Sequence, residues 1–174
     1  VFTVTSDSMP EILRWAALWG GESGALLVWL WVLSGCSAAL VLRKWKRDRE
    51  YLSVVMLVLL LALVFFQFLI LNFENPFVRF WQLADGTRVT AMFRPPEAKL
   101  VIPGNGVGLN PTLRSPWMSL YLPLLYMGNA LLVVPYAFGI SALINRRTDH
   151  CWFSISRRWA LLGWLFLSAG IFVS

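Results

Sequence analysis

Twenty-one consecutive residues, LSVVMLVLLLALVFFQFLILN (52–72), contain no charged side chain. A hydrocarbon core about 30 Å thick takes roughly 20 helical residues to cross. In that medium every backbone N–H and C=O has to be satisfied within the segment, which a helix achieves. The run therefore predicts a transmembrane helix over 51–71, with Gln67 and Asn72 as its strongly polar groups. Three further apolar runs, at 25–42, 120–144 and 159–173, predict three more spans. The last is short and ends at the chain terminus. The run 120–144 contains Pro123 and Pro135, each of which removes a backbone donor and is expected to bend the helix. A bent helix suits a cavity wall.

Composition agrees with the spans. Of the 174 residues 58% are hydrophobic and 14% charged, which lies outside the usual balance of a water-soluble domain. The predicted fold class is an all-α integral membrane protein with about four transmembrane helices, a single membrane module carrying a long extracytoplasmic loop over 72–119. Ten Trp and twelve Phe suit membrane interfaces and the holding of flat ligands.

The net charge of +6 comes with basic residues clustered beside apolar runs rather than spread along an exposed face, which argues for membrane orientation and against nucleic acid. RKWKRDRE (43–50) and NRRTDHCWFSISRR (145–158) are the two dense clusters, and both are expected in cytoplasmic loops or their topological equivalent. The loop 72–119 and both termini then lie outside. Cys36 and Cys151 are too far apart in that frame to pair, so neither a disulfide nor a metal site is predicted. No C-x-x-C-H occurs, which excludes covalent c-type haem attachment to this chain.

The chain begins FTVTSDSMPE after Val1, which is not a signal peptide. It closes on GWLFLSAGIFVS with no trailing polar residues. Both ends lead us to expect either a continuation or companion chains that cover them. The outer loop divides into an Arg-bearing piece, 76–100, and the Gly/Pro-rich VIPGNGVGLNPTLRSPW (101–117), too long for a routine connection. Gly104, Gly106 and Gly108 permit close backbone approach, but no strand–helix unit frames them, so nucleotide binding is discarded.

Three stretches resemble the CcmF-type cytochrome c biogenesis proteins, a haem-handling membrane family. The first is FTVTSD with LRWAALWGGESGALLVWLWVLSG. The second is GVGLNPTLRSPWMSLYLPLLYMGNALLVVPYAFGISALI, similar to the family's GLNP-x-L, P-x-L-Y-x-G and V-P-Y/F-A-F elements. The third is RRWALLGWLFLSAGI, similar to the helix that leads into the family's tryptophan-rich WWD segment. The resemblance implies haem handling and delivery to apocytochrome c on the outer face of a bacterial inner or mitochondrial inner membrane. It also implies a haem chaperone, apocytochrome c, membrane lipid and other subunits as partners, with haem b possible in the complete assembly.

Two departures qualify this. The WWD segment would be expected just after Ser174. Family members also read His-Pro-Pro where this chain has Tyr121, Leu122 and Pro123. A phenol titrates near pH 10 and binds iron well only when ionised, whereas neutral imidazole needs no such help. The single histidine, His150, lies in the basic loop expected on the opposite face.

A haem groove is therefore assigned to Trp19, Asn110, Pro111, Arg114, Tyr121 and Tyr126, with no catalytic residue, no metal site and no haem firmly held by this chain alone. Trp19 and Trp15 can stack on a porphyrin or anchor at the interface. Arg114 can fork onto a haem propionate or a lipid phosphate. Asn110 and Pro111 can shape the pocket, and Glu22 fits the first turn of a helix. The alternative function is a non-catalytic structural subunit of a larger membrane complex, derived from the family and stripped of its ligands. A transporter is disfavoured, since no span carries an ionisable residue near its centre.

Overall fold

The structure is a computed structural model, and it describes residues 10–42, 49–101, 116–146 and 150–174. Five helices and three short strands follow in the order α1 (Glu11–Ala16), α2 (Glu22–Leu42), α3 (Arg49–Asn72), β1 (Arg79–Gln82), β2 (Arg88–Ala91), β3 (Lys99–Leu100), α4 (Pro116–Ile144) and α5 (His150–Val173). Three of the helices are long and apolar enough to cross a membrane: Glu22–Leu42, Leu52–Asn72 and Ser119–Ile144. This is the architecture expected of an all-α membrane protein.

α4 is the central helix, the most enclosed of the three spans. Its Ala130, Leu131, Val134, Ala137 and Phe138 meet Leu33, Cys36 and Leu40 of α2 and Val55 and Leu59 of α3 in one core. Cys36 is a free, buried thiol within that core. Hydroxyls inside the helices bond back to their own turn, Ser37 to the Leu33 carbonyl at 2.9 Å and Ser34 to the Leu30 carbonyl at 2.9 Å. That removes the cost of an unpaired donor in hydrocarbon. Gln67, by contrast, lies on α3 beside an outward row that includes Leu60, Leu61, Val64, Phe65 and Phe68.

α5 runs antiparallel along α4, and glycine sets the distance. A Cβ on Gly163 would stand 2.9 Å from Leu132 Cδ2 and 3.1 Å from the Gly128 carbonyl oxygen. One on Gly170 would stand 2.9 Å from Leu125 Cδ2, and one on Gly128 only 2.6 Å from Leu167 Cγ. Leucine side chains thus fill the gaps that glycines leave, the small-residue packing by which helices associate in lipid.

The structure corrects several sequence-based boundaries. Residues 150–158, expected as loop, already belong to α5, so His150 and Cys151 start a helix. Hydropathy missed this because Arg157 and Arg158 interrupt the apolar pattern, leaving the span expected at 159–173. Those fifteen residues rise about 22 Å at 1.5 Å each. α4 likewise starts at Pro116 rather than 120, and proline at a first helical position costs nothing because its missing N–H would be unpaired there.

The loop 72–119 holds a sheet ordered β2-β1-β3, antiparallel throughout, with Trp81 opposite both Val89 and Leu100. Trp81 is buried, and its Nε1 donates to the Ala91 carbonyl at 3.0 Å. Gly86, at φ 84, makes the β1–β2 turn. The Asp85 carboxylate accepts from the Thr87 amide at 2.9 Å and hydroxyl at 2.6 Å, and these two bonds hold its pKa below the usual carboxylate value.

Candidate functional site

The site begins with a proline. Pro123 lies inside α4 and has no N–H, so the carbonyl four residues earlier, that of Ser119, loses its helical donor. The Trp19 indole Nε1 donates to that same carbonyl at 2.9 Å, across 100 residues of sequence. In a low-dielectric surround an orphan carbonyl is costly, so the contact ties the turn before α2 to the first turn of α4.

Gly24 permits the approach. It lies in the first turns of α2 directly beneath the Leu18 carbonyl, where any Cβ would overlap the backbone. The turn from Ala17 to Gly21 is closed by Gly20 N–H donating to the Ala16 carbonyl at 2.9 Å and Ala25 N–H to the Gly21 carbonyl at 2.9 Å. α2 then opens at Glu22, whose carboxylate falls in the first turn as expected.

Between this turn, α2 and α4 lies a groove of about 640 Å³. Its walls are Leu18, Trp19, Leu27, Val28, Trp31, Pro123 and Met127, with Leu30, Val32 and Ser34 of α2 at its edge. The only side-chain hydroxyl among them, Ser34, is already committed to Leu30. The groove is therefore almost wholly apolar, with two indoles and one thioether. Its size falls in the range of small-molecule sites, roughly 300–1,000 Å³, and a flat apolar ring is the shape its indole faces suit.

The sequence-assigned residues divide. Trp19 lines the groove, though its N–H is spent on Ser119. Trp15 is in α1, 71% exposed and not on the groove. Tyr121 and Tyr126 are half-buried on α4 but are not among the lining residues. At 3.6 residues per turn Tyr121 is about 160° around the helix from Pro123. Asn110, Pro111 and Arg114 lie outside the described residues, as do Gly104, Gly106 and Gly108.

Sequence reasoning passed over Trp31 and Met127. Trp31, two residues after Trp29, is 77% exposed, and Met127 follows Pro123 by four residues on the same helical face. That i, i+4 relation was the available signal. A thioether is a known axial ligand to haem iron, and a soft one. Among the described residues no group of three or more His, Cys, Asp or Glu is placed to hold a metal. Among the groove's lining residues Met127 is the one sulfur donor, and none is a histidine.

Residues 19–173 match the family profile of the cytochrome C assembly protein. The chain is 31% identical over 167 residues to the cytochrome c-type biogenesis protein CcmF of Haemophilus influenzae, covering 96% of this chain and 23% of that protein. It is 31% identical over 176 residues to CcmF of Escherichia coli, covering 98% and 24%. It is also 31% identical to the cytochrome c-type biogenesis protein NrfE of Haemophilus influenzae, over 96% and 23%. The chain thus spans about a quarter of the length of these relatives. No solved structure matches.

Proposed function

Because the chain belongs to the cytochrome c assembly protein family, we propose that it is a membrane module of cytochrome c biogenesis that handles haem for delivery to apocytochrome c on the outer face of the membrane. The apolar groove walled by Trp19, Trp31, Pro123 and Met127 carries this reading. Haem, when bound, supplies the iron and the vinyl groups that accept the cysteine thiols of the apocytochrome. The residues of this chain position and exclude water, which is what such a reaction needs from a protein when both reacting groups come from its substrates. The tryptophan-rich surface implied by the resemblance lies outside these 174 residues, and the groove's own lining offers no histidine. The membrane is a bacterial inner membrane or its mitochondrial counterpart, with α5 as the fourth span and both termini extracytoplasmic.

One observation favours a second reading, a structural subunit without haem. The only histidine opens α5, and α5 starts at the end of the bundle remote from the groove.

Hemin titration of the purified chain in detergent separates the two. Weak binding is expected of the wild type, weaker binding of Trp31→Ala, and at least tenfold tighter binding of Met127→His, a gain of about 1.4 kcal/mol. Tyr121→His, off the groove, should leave affinity unchanged. If Met127→His and Trp31→Ala both titrate like wild type, the groove is not a haem surface and the structural reading stands.

A further inference from the structure

At the opposite end of the bundle α5 bears a second concavity, about 360 Å³, lined by Phe153, Ser154, Arg157, Arg158 and Leu161. We propose that it is a binding site for an anionic phospholipid, the phosphate held by Arg157 and Arg158 and an acyl chain lying along Leu161.

The register of α5 against α4 fixes the depth. Gly163 meets Leu132, Leu167 meets Gly128 and Gly170 meets Leu125, so Arg157 lies level with about Phe138. That is about six residues, or roughly 9 Å, short of the end of α4 at Ile144. The apolar span of α4, Ser119–Ile144, is 26 residues long. It rises about 39 Å and exceeds a 30 Å hydrocarbon core by about that same 9 Å. Arg157 and Arg158 accordingly stand at the headgroup boundary or just beneath it, immediately before the apolar stretch of α5.

Cations at that depth are costly unless they reach a counter-charge. Both arginines are exposed, and among the described residues neither makes an ion pair or hydrogen bond. The concavity combines two adjacent guanidiniums, which match phosphate oxygens in fork geometry, with the exposed apolar side chains of Phe153 and Leu161. A soluble anion would satisfy the arginines but leave the apolar wall in water.

The field around the site has the right sign. Segments 43–50 and 145–158 hold nine of the fifteen Lys and Arg but three of the nine acidic residues, so the whole net charge of +6 falls at this end. Anionic headgroups are drawn to such a surface.

Native mass spectrometry of the full chain, released from nanodiscs of mixed phosphatidylglycerol and phosphatidylcholine, tests the site. The wild type should retain phosphatidylglycerol in preference to phosphatidylcholine. Arg157→Gln with Arg158→Gln should lose at least tenfold of that preference at unchanged helicity, and Arg157→Lys with Arg158→Lys should keep part of it. Removing the same charge at Arg43→Gln with Arg47→Gln should leave it largely intact. Equal loss in both Gln pairs would mean diffuse attraction and overturn the site. So would displacement of the lipid by millimolar inorganic phosphate, or equal retention of the two lipids by the wild type.

Discussion

At one end of the bundle lie α1, the apolar groove and the three-stranded sheet, and the sequence segments 1–42 and 72–119 hold six cations and six carboxylates. At the other, segments 43–50 and 145–158 set nine cations against three. The balanced end is where chain is spent on structure: a turn tucked over Gly24, an indole capping a carbonyl orphaned by Pro123, and a hairpin closed on Asp85. At the basic end Arg157 and Arg158 are exposed and, among the described residues, make no ion pair or hydrogen bond. On the proposals above the contrast separates two tasks: aromatic faces suit the apolar porphyrin plane, whereas a surplus of positive charge would attract anionic headgroups.

The most complete break of this comparison would be a failure of the sidedness itself. Cysteines introduced at Thr87, in the sheet, and Arg47, between α2 and α3, should react with a membrane-impermeant maleimide from opposite faces only. This result is all-or-none. Labelling of both from one face would refute the single span between them and the division of labour built on it.

Next in size is the seam that holds the two ends in register. Gly128→Val would place a branched side chain where a Cβ already comes within 2.9 Å of the Leu167 backbone nitrogen. Backbone cannot yield as a side-chain tip does, so α4 and α5 must part. Overpacking of this kind costs about 1–3 kcal/mol, and the upper end is expected. Thermal unfolding in detergent should show a clear fall in Tm, while Gly139→Ala, with open space around it, should change little.

Much of this was legible in the sequence, and the exceptions are instructive. Three spans, in α2, α3 and α4, could be read because a charge-free run long enough to cross hydrocarbon is rare in water-soluble helices. The start of α5 could not, because the helix continues through Arg157 and Arg158 without breaking, whereas hydropathy registers only their charge. The sheet was missed because strands of four, four and two residues are too short for alternation to emerge. The Asp85–Gly86 pair was nevertheless a hairpin signal. At the groove, Trp19 was readable as an aromatic beside a helix start. Its partner was not: Pro123 announces that Ser119 needs a donor, but no local pattern says that the donor lies 100 residues away. Met127 went unnoticed because in an apolar helix a thioether looks like any core-filling side chain.

That long-range contact gives a smaller effect. Trp19→Phe keeps an aromatic wall on the groove and removes the N–H donated to the Ser119 carbonyl. A loss of about 1 kcal/mol is expected from that hydrogen bond. Pairing it with Pro123→Ala, which restores a helical donor to Ser119, should recover most of the loss. Additive behaviour in that double-mutant cycle would show that the indole bond and the proline are not coupled.

The smallest expected effect concerns Asp85, at the tip of the sheet. Its carboxylate is stabilised by the Thr87 hydroxyl first and the Thr87 amide second, so its pKa in the folded hairpin lies below its unfolded value. The sign follows from linkage: a depressed carboxylate contributes stability at pH values above the unfolded pKa, and that contribution disappears as pH falls through the folded pKa. Because the group is fully exposed, solvent screens it and the effect should stay local to the hairpin. Amide exchange in residues 83–87, compared near neutral pH and at pH values below the normal Asp range, should show faster opening in acid after correction for the intrinsic rate. Asp85→Asn retains one acceptor oxygen but no charge, and should flatten that pH dependence while leaving the groove and helices untouched. A wild-type hairpin whose protection is unchanged across this pH window would place its stability in Gly86 and the strand pairing rather than in the carboxylate.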